Sequence, residues 1–325
     1  MGRSGEMFIV RHLDDEIAYA ADKVRLIVLE PGTRITTDAI MLAIERKIPI
    51  HVMTREGKPI GTFWSHHYGS IATIRSNQAQ FVNHPDSIQW ICYVLKTRTI
   101  HSIAFLQRIS KHRSKEVQKA VSEKIEIIKK IAKKLDGPFQ GNLKEQKNSI
   151  RGIEGVIRRL YFNALSMCLP EKHRFEQREH QNAQHPFNVV LNYLYGILYH
   201  RVEVALVQAG LDPFLGVLHA HQHRKPTLAF DFIELFRLWA EETTYHLFKA
   251  DLLNKTAFDK EQDRLLLNKD GKSIVVPAFM EYLKKVIRWR GRQKSRETHI
   301  QDEAFQFATL LKKWQPGKLT LPNNF

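Results

Sequence analysis

Residues 210–242 read GLDPFLGVLHAHQHRKPTLAFDFIELFRLWAEE, and the rest of the chain is organised around them. Gly210 suits the end of the apolar segment before it, since glycine tolerates the left-handed conformation at a helix C-terminus. After Pro226 the sequence becomes helical, and Thr227 fits the N-cap. The apolar contacts of this helix are Ile233, Phe236 and Leu238. The stretch therefore predicts a turn at its start and an amphipathic helix at its end.

The same stretch carries candidate metal ligands. Asp231 and Glu234 are three positions apart, so on a helix both carboxylates project from one face. A hard divalent cation needs anionic oxygens, and such a pair leaves positions open for phosphate and water. His219 adds one imidazole, which permits Mn²⁺ as well as Mg²⁺. The alternation of His219, His221 and His223 also suggests zinc, but zinc alone does not explain the acids. An ordinary amphipathic helix with solvated acids remains the alternative.

The composition favours a polyanionic partner. The 325 residues include 50 Lys and Arg against 34 Asp and Glu, a formal net charge of +16. Nucleic acid is the commonest partner of such a chain, and a membrane surface is the other candidate. No apolar run reaches membrane-spanning length, and the N-terminal residues lack a signal-peptide core. Two cysteines, Cys92 and Cys168, are too few for a disulfide framework or a cysteine zinc site. We therefore expect a cytoplasmic protein that binds nucleic acid and no membrane.

Residues 1–80 predict a small β-rich domain with one short helix. Strands are predicted at residues 23–30, 48–53, 59–64 and 70–75. The segment TTDAIMLAIERK (36–47) predicts the helix, and a hairpin turn is predicted at Glu56-Gly57. Isolated histidines in this part, which are more often surface or packed residues than ligands, are His51, His66 and His67. We expect this domain to serve dimerisation, contact with a partner protein or DNA clamping.

Residues 81–325 predict a larger, all-helical domain, which makes the chain an α+β protein. Pro85 suits a first helical position, and apolar residues then recur at three- and four-residue steps. Helices are predicted within residues 87–110, 108–135, 139–169 and 188–210. The second is rich in lysine and is either a solvated face or a surface that tracks phosphates. The fourth is apolar enough to be a central buried helix.

Glu154 lies one step from the buried stripe of the third of these helices. It either complements the helix dipole or completes the candidate metal site. Arg158 and Arg159 follow on the next turn, where they would meet phosphate. Near the C-terminus, residues 284–299 are basic and contain Trp289, which favours backbone contact and base stacking, with a solvated helix as the alternative.

Four segments resemble the CRISPR adaptation integrase family, Cas1. They are IEGVIRRLYF (153–162), GVLHAHQHRKPTLAFDFIELFR (216–237), TTDAIMLAIERKIPIHVMTREGKPIG (36–61) and LLLNKDGKSIVVPAFMEYL (265–283). The resemblance implies an N-terminal β domain, a helical C-terminal domain, a symmetric homodimer and a small partner protein, Cas2, that bridges two dimers. It also implies Mg²⁺- or Mn²⁺-dependent cutting and joining of double-stranded DNA. In that reaction the 3′-hydroxyl of a captured fragment attacks a phosphodiester at the edge of the repeat array.

Position by position, the resemblance assigns metal binding and catalysis to Glu154, His219 and Asp231. Glu234 matches a further acidic position, which is aspartate in some relatives, and is the weaker candidate for a fourth ligand. His221 and His223 fall outside the matched ligand position. The chain also departs from the family in having KPT where an arginine-proline-serine run is usual.

The basic residues around these segments are expected at DNA. They are Arg158, Arg159, Arg224, Lys225, Arg288, Arg290 and Arg292. Two alternatives stay open at this point. One is a transposon-encoded integrase of the same superfamily, and the other is a catalytically inactive scaffold that binds nucleic acid.

Overall fold

The chain forms two compact units, Met1–Thr73 and Ile74–Phe325. The structure, a computed structural model, describes residues 1–12, 15–24, 26–46, 48, 50–53, 59–63, 69–180, 182–219, 225–261 and 264–321. The division between the units falls within a helix at Gly69–Phe81, and the boundary predicted at residue 80 lies in the same helix.

The described part of the first unit contains two three-stranded sheets. In one, β1 (Gly2–Ser4), β2 (Met7–His12) and β3 (Asp15–Ala20) run antiparallel in that order. In the other, β4 (Ile27–Leu29) pairs in parallel with β5 (Ile50–Met53), which pairs antiparallel with β6 (Pro59–Phe63). Between β4 and β5 lies α1 (Thr37–Glu45), and the side chain of its N-cap, Thr36, accepts a hydrogen bond from the Ala39 amide.

The predictions for this unit are confirmed in part. β4, β5, β6 and α1 lie within the segments predicted for them. The strand predicted at 70–75 is wrong, because these residues belong to α2 (Gly69–Phe81), whose buried face spaces Ile74, Gln78 and Phe81 at helical steps. The first sheet was not predicted, since β3 is exposed along most of its length and lacks the apolar alternation of a buried strand. Glu56-Gly57, His66 and His67 lie outside the described residues.

The second unit is mostly helical, which confirms the predicted α+β class. Its helices after α2 are α3 (Asp86–Ser110), α4 (Lys115–Ala132), α5 (Leu143–Met167), α6 (Pro186–Gln208), α7 (Thr227–Phe232), α8 (Arg237–Lys249), α9 (Lys269–Lys284) and α10 (Arg296–Lys313). Two antiparallel hairpins, which the prediction of an all-helical unit left out, lie among them. They are β7 (Phe258–Glu261) with β8 (Arg264–Leu267), and β9 (Val286–Trp289) with β10 (Arg292–Ser295).

The apolar helix predicted from residue 188 is α6, and it is central and buried as expected. Leu194, Leu198 and Val202 are fully buried, and both α8 and α10 pack against α6. Gly210 follows with a φ of +83°, the conformation that makes glycine suitable after a helix end. Among the described helices, none is long and apolar enough to cross a bilayer.

The single helix predicted after Pro226 is broken in two. α7 ends at Phe232, a 3-10 turn covers Ile233–Leu235, and α8 begins at Arg237. The turn packs against α3, which also packs along α5. The break therefore brings the end of residues 210–242 beside α3, and α3 lies beside the helix that carries Glu154.

Candidate functional site

The loop before α7 is tied to that helix by the Thr227 hydroxyl. The sequence predicted Thr227 as the N-cap, and this is wrong. Pro226 occupies the N-cap position, and its side chain makes no capping hydrogen bond. Oγ1 of Thr227 instead donates to the Phe214 carbonyl at 2.6 Å and accepts from the Gly216 amide at 3.0 Å. A Cβ added at Gly216 would lie 2.6 Å from the Thr227 carbonyl carbon. Only glycine lets the loop approach so closely.

Asp231 fixes the next three residues of the same loop. It is fully buried. Its Oδ2 accepts from the amides of Val217 (2.5 Å) and Leu218 (2.9 Å), and its Oδ1 accepts from the amide of His219 (3.2 Å). The loop is folded around this carboxylate, which satisfies three consecutive backbone donors that would otherwise be unpaired.

The same carboxylate orients the His219 ring. Nδ1 of His219 lies 2.6 Å from Oδ1 of Asp231, so Nδ1 carries the proton and the lone pair is on Nε2. The side chain of His219 is 42% exposed, which leaves the ring open to solvent. Burial alone would lower the pKa of His219, but the hydrogen bond and the charge of Asp231 outweigh it and raise the pKa. With this bond, both Asp231 oxygens have two donors, the full capacity of a carboxylate.

Glu154, in the middle of α5, has a carboxylate oxygen without a hydrogen-bond donor among the described residues. Its Oε1 is buried and accepts no hydrogen bond from the described residues. The nearest cations are Nη1 of Arg98 and Nε of Arg158, each 3.7 Å away. The acid in the first turn of α5 is Glu145, which completes a capping box with Asn142. Glu154 therefore does not serve the helix dipole, the alternative that the sequence left open.

Glu234 lies beside the same guanidinium as Glu154. Arg98 Nη1 donates to Glu234 Oε2, and Nε of Arg237 donates to Glu234 Oε1 at 2.6 Å. Arg98 Nη2 also contacts Oε1 of Glu241 at 3.4 Å. Burial would raise the pKa of Glu234, but the charges of Arg237 and Arg98 outweigh it and lower the pKa. One buried cation thus links the acids of α5, the 3-10 turn and α8.

The structure brings the predicted ligands together in two pairs. Asp231 contacts His219 directly, and Glu154 meets Glu234 across Arg98. Within the described residues, no three acidic, histidine or cysteine side chains converge closely enough to hold a metal ion. The donor types nevertheless suit a divalent cation, because Glu154 has an orphaned oxygen and the His219 ring is fixed with one nitrogen free of Asp231. Metal binding by these residues stays a prediction.

A groove of about 530 Å³ opens beside His219. Its basic lining is Lys144, Lys147 and Arg151 of α5, and Arg151 donates to the Leu218 carbonyl. With Glu154 and Arg158 these residues form one face of α5, at steps of three, four, three and four. Of that face, only Glu154 and Arg158 were predicted from the sequence as site residues. The helical spacing of the basic residues was the signal that would have found the rest.

The predicted DNA contacts fall into three groups. Arg159, Lys225, Arg288 and Arg292 are exposed, and Arg158 is partly exposed with Glu154 nearby. Arg224, with His221 and His223, lies outside the described residues. Arg290 contradicts its prediction, since its side chain is only 11% exposed, pairs with Glu303 at 3.0 Å and lies over the ring of Tyr93.

The predicted base stacking by Trp289 is also wrong. Trp289 is 6% exposed and packs against Trp239, and its indole donates to Glu303 at 2.9 Å. Residues 286–295 form the β9–β10 hairpin rather than a solvated helix, and the hairpin turns its aromatic side chain into the core. A basic segment with one tryptophan has the same composition in either setting, so composition did not distinguish them.

Known proteins share this fold. A solved casposase bound to an integration product superposes with a TM-score of 0.74 over 92% of this chain and 86% of that one, at 20% identity. The matching chain of a partial Cas6-RT-Cas1–Cas2 complex gives a TM-score of 0.76 over 97% of this chain and 92% of that one, at 21% identity. At these identities the likeness establishes the architecture alone.

The sequence itself matches one family. The CRISPR-associated endonuclease Cas1 1 of Thermus thermophilus is 27% identical over 282 residues, which cover 86% of this chain and 82% of the relative. The family model described as CRISPR associated protein Cas1 matches residues 1–281. Since that match takes in most of the 325 residues, the resemblance noted in the sequence is confirmed, and the chain belongs to the Cas1 family.

Proposed function

We propose that this protein is a divalent-metal-dependent DNA endonuclease and integrase that inserts captured DNA fragments into a CRISPR repeat array. One observation carries the proposal: a buried carboxylate oxygen of Glu154, with no hydrogen-bond donor among the described residues, lies on the basic face of α5. A structural acid would be expected to be satisfied at such a position. An orphaned acceptor amid basic residues instead suits a cation and a phosphate.

Glu154, His219 and Glu234 are the residues that would hold the cation. Glu154 offers its free oxygen, His219 its second ring nitrogen, and Glu234 lies beside the guanidinium that Glu154 also faces. Asp231, which the resemblance assigned as a ligand, would act through His219, because each of its oxygens already has two donors. Each oxygen of Glu234 has one donor among the described residues. When bound, the cation supplies stabilisation of charge on the attacking and leaving oxygens.

In the proposed joining step a DNA 3′-hydroxyl attacks a phosphodiester. One phosphorus–oxygen bond forms as another breaks, so the step needs no ATP. The exposed and half-exposed cations on the face of α5 hold the backbone of the DNA, and the net charge of +16 favours its approach. Asp231 keeps the proton of His219 on Nδ1, which leaves the lone pair of Nε2 available to a cation.

A homodimer and a Cas2 partner complete the proposal. The solved Cas1–Cas2 assembly contains a chain of the same architecture. In the first unit, Ile17 and Tyr19 of the edge strand β3 are 51% and 46% exposed. Exposed apolar side chains on an edge strand are features of an interaction surface.

A strand-joining assay on a supercoiled plasmid with a repeat array tests the proposal. Joined product is expected with Mg²⁺ or Mn²⁺ and none with EDTA. Glu154→Gln and His219→Gln are expected to abolish joining, whereas Glu171→Gln, an exposed acid elsewhere, is expected to retain it. Activity that survives thorough chelation, or in either site variant, would refute the proposed chemistry.

The casposase likeness keeps a second function in view. A transposon-type integrase would share the fold and the metal site but would not depend on the repeat. Matched plasmids with and without the repeat array separate the two. Equal joining into both would favour the transposon-type enzyme, and joining confined to the repeat would favour the adaptation integrase.

A further inference from the structure

Arg178 is a guanidinium held by neutral groups. Its Nη1 donates to the Asn188 side-chain oxygen at 3.2 Å, and its Nη2 donates to the Asn192 side-chain oxygen. The guanidinium carbon lies 5.7 Å from the ring centre of Phe162 and 5.5 Å from that of Tyr195. Two amides and two rings fix the group in place.

No carboxylate in the described part of the chain pairs with Arg178, although an acid is the next residue. Oε2 of Glu179 accepts instead from the amides of Gln184 (2.8 Å) and His185 (3.0 Å). Nε of Arg178 is buried and makes no hydrogen bond to the described residues. Burial is the largest cause that lowers the pKa of Arg178, yet a guanidinium stays charged in proteins. A desolvated cation without a counter-ion is costly, so an anion from outside the chain would stabilise it.

Two further cations add to the positive potential here. The charges of Arg158 and Arg237 act on Arg178 and on His180. Partial burial and these three arginines lower the pKa of His180 to about 4. His180 nevertheless remains an exposed residue, so the positive region reaches the surface.

The acids nearby do not balance this charge. Among the described residues, four guanidiniums (Arg98, Arg158, Arg178 and Arg237) face three carboxylates (Glu154, Glu234 and Glu241). Arg98 and Arg237 already pair with Glu234. Arg178 is the one of these four that forms no ion pair with a described carboxylate, so we assign the surplus charge to it.

Arg158, whose charge acts on Arg178, lies next to the proposed catalytic carboxylate. Nε of Arg158 is 3.7 Å from Oε1 of Glu154. The loop that carries Arg178 is held rigid, because Nδ2 of Asn192 donates to the carbonyls of Glu179 (3.2 Å) and His180 (3.1 Å). We infer that Arg178, Arg158 and His180 form a subsite for one phosphodiester of the DNA strand that runs past Glu154. The inference rests on the proposed function and names the residues that would position its substrate.

DNA binding measured in EDTA tests this subsite without the reaction. Fluorescein-labelled single-stranded and duplex oligonucleotides are titrated over a range of salt concentrations. Arg178→Gln is expected to weaken binding of at least one of them about tenfold or more, as for the loss of a hydrogen bond to a charged group. The slope of log K against log salt should fall by about 0.7 for a single strand or about 0.9 for a duplex. The probe that loses affinity identifies the strand that carries the phosphate.

Arg174→Gln is the matched control, since it removes the same charge from an exposed position four residues earlier. Equal losses in both variants would overturn the inference, because the effect would then be a general one of net charge. Unchanged binding by Arg178→Gln would overturn it as well.

A second variant covers the case in which Arg178→Gln does not fold. His180→Asp places a negative charge at the exposed edge of the subsite, and His112→Asp makes the same change at an exposed position elsewhere. His180→Asp is expected to weaken DNA binding about tenfold or more relative to His112→Asp, and equal affinities would refute the subsite. Because these measurements contain no metal, a negative result leaves the metal-dependent joining of the wild type intact. Absence of joining by the wild type would instead refute the proposed function.

Discussion

Asp231→Asn is the most informative single change, because it preserves shape and removes one property of the site. Each oxygen of Asp231 accepts two hydrogen bonds. Of these four, three come from backbone amides and one from Nδ1 of His219. An asparagine has one oxygen, which is expected to remain with the amides of Val217 and Leu218. Its amino group would then face the amide and the ring of His219.

The expected loss of stability follows from that geometry. The His219 amide would face another donor, and an unpaired buried donor costs about 1–3 kcal/mol. The two retained hydrogen bonds would lose the contribution of the negative charge, about 0.5–1 kcal/mol each. We expect a total of about 3 kcal/mol, which for a unit of this size corresponds to a melting temperature lower by about 6–12 °C. Thermal unfolding followed by circular dichroism measures it.

The same change should move a proton on the imidazole. The asparagine amino group donates, so Nδ1 of His219 must accept and its proton must shift to Nε2. That tautomer has no lone pair on Nε2, and we expect Mn²⁺ affinity measured by calorimetry to fall about 10- to 100-fold. Asp212→Asn is the control, since Asp212 Oδ1 accepts a single amide hydrogen bond, from Phe214 in the same loop. An Asp231→Asn protein that melts and binds Mn²⁺ like the wild type would refute this account of the hydrogen bonds of Asp231.

Three further outcomes are expected. Gly216→Ala should destabilise the protein by about 1–3 kcal/mol in thermal melts, because the added Cβ would collide with the Thr227 backbone. Gly196→Ala, at an exposed helical position with open space, should not destabilise it. A tolerated Gly216→Ala would contradict the close approach of the two segments. Arg98→Gln should cost about 3–5 kcal/mol in denaturant unfolding, because it removes the Arg98 ion pairs of Glu241 and of Glu234, which keeps only Arg237. The exposed Arg108→Gln should cost less than about 1 kcal/mol, and equal costs would show that the buried ion pairs are unimportant. Burial raises the pKa of Cys92 to about 12 and of Cys168 to about 11, so neither thiol should react with a disulfide reagent at pH 8 until the protein is unfolded, and rapid labelling of the native protein would show that they are not buried.

Local patterns in the sequence predicted the elements that bury one face. α6 and the helices around it follow apolar steps of three and four, and Gly210 marks a helix end by its conformational freedom. β3 escaped prediction because its residues are exposed on both faces, so no alternation is present. Whether Trp289 lies in the core or on the surface depends on contacts with residues far along the chain, which composition does not encode.

The candidate site was predictable as a set of residues and not as an arrangement. The sequence singled out His219 and Asp231, but their contact depends on a loop closed by three backbone amides and the Thr227 hydroxyl. It gave no sign of Arg98, which lies 136 positions before the Glu234 that it contacts. Spacing rules act within one helix, and this contact joins α3 to a turn that the helical pattern did not predict.

The position of Arg98 bears on whether the fold requires a bound cation. Zinc fingers collapse when chelators strip their ion, because the ion itself holds their ligands together. Here an internal side chain already neutralises the acids Glu234 and Glu241. We therefore expect the chain to fold without a divalent cation and its melting temperature to be the same with and without a chelator.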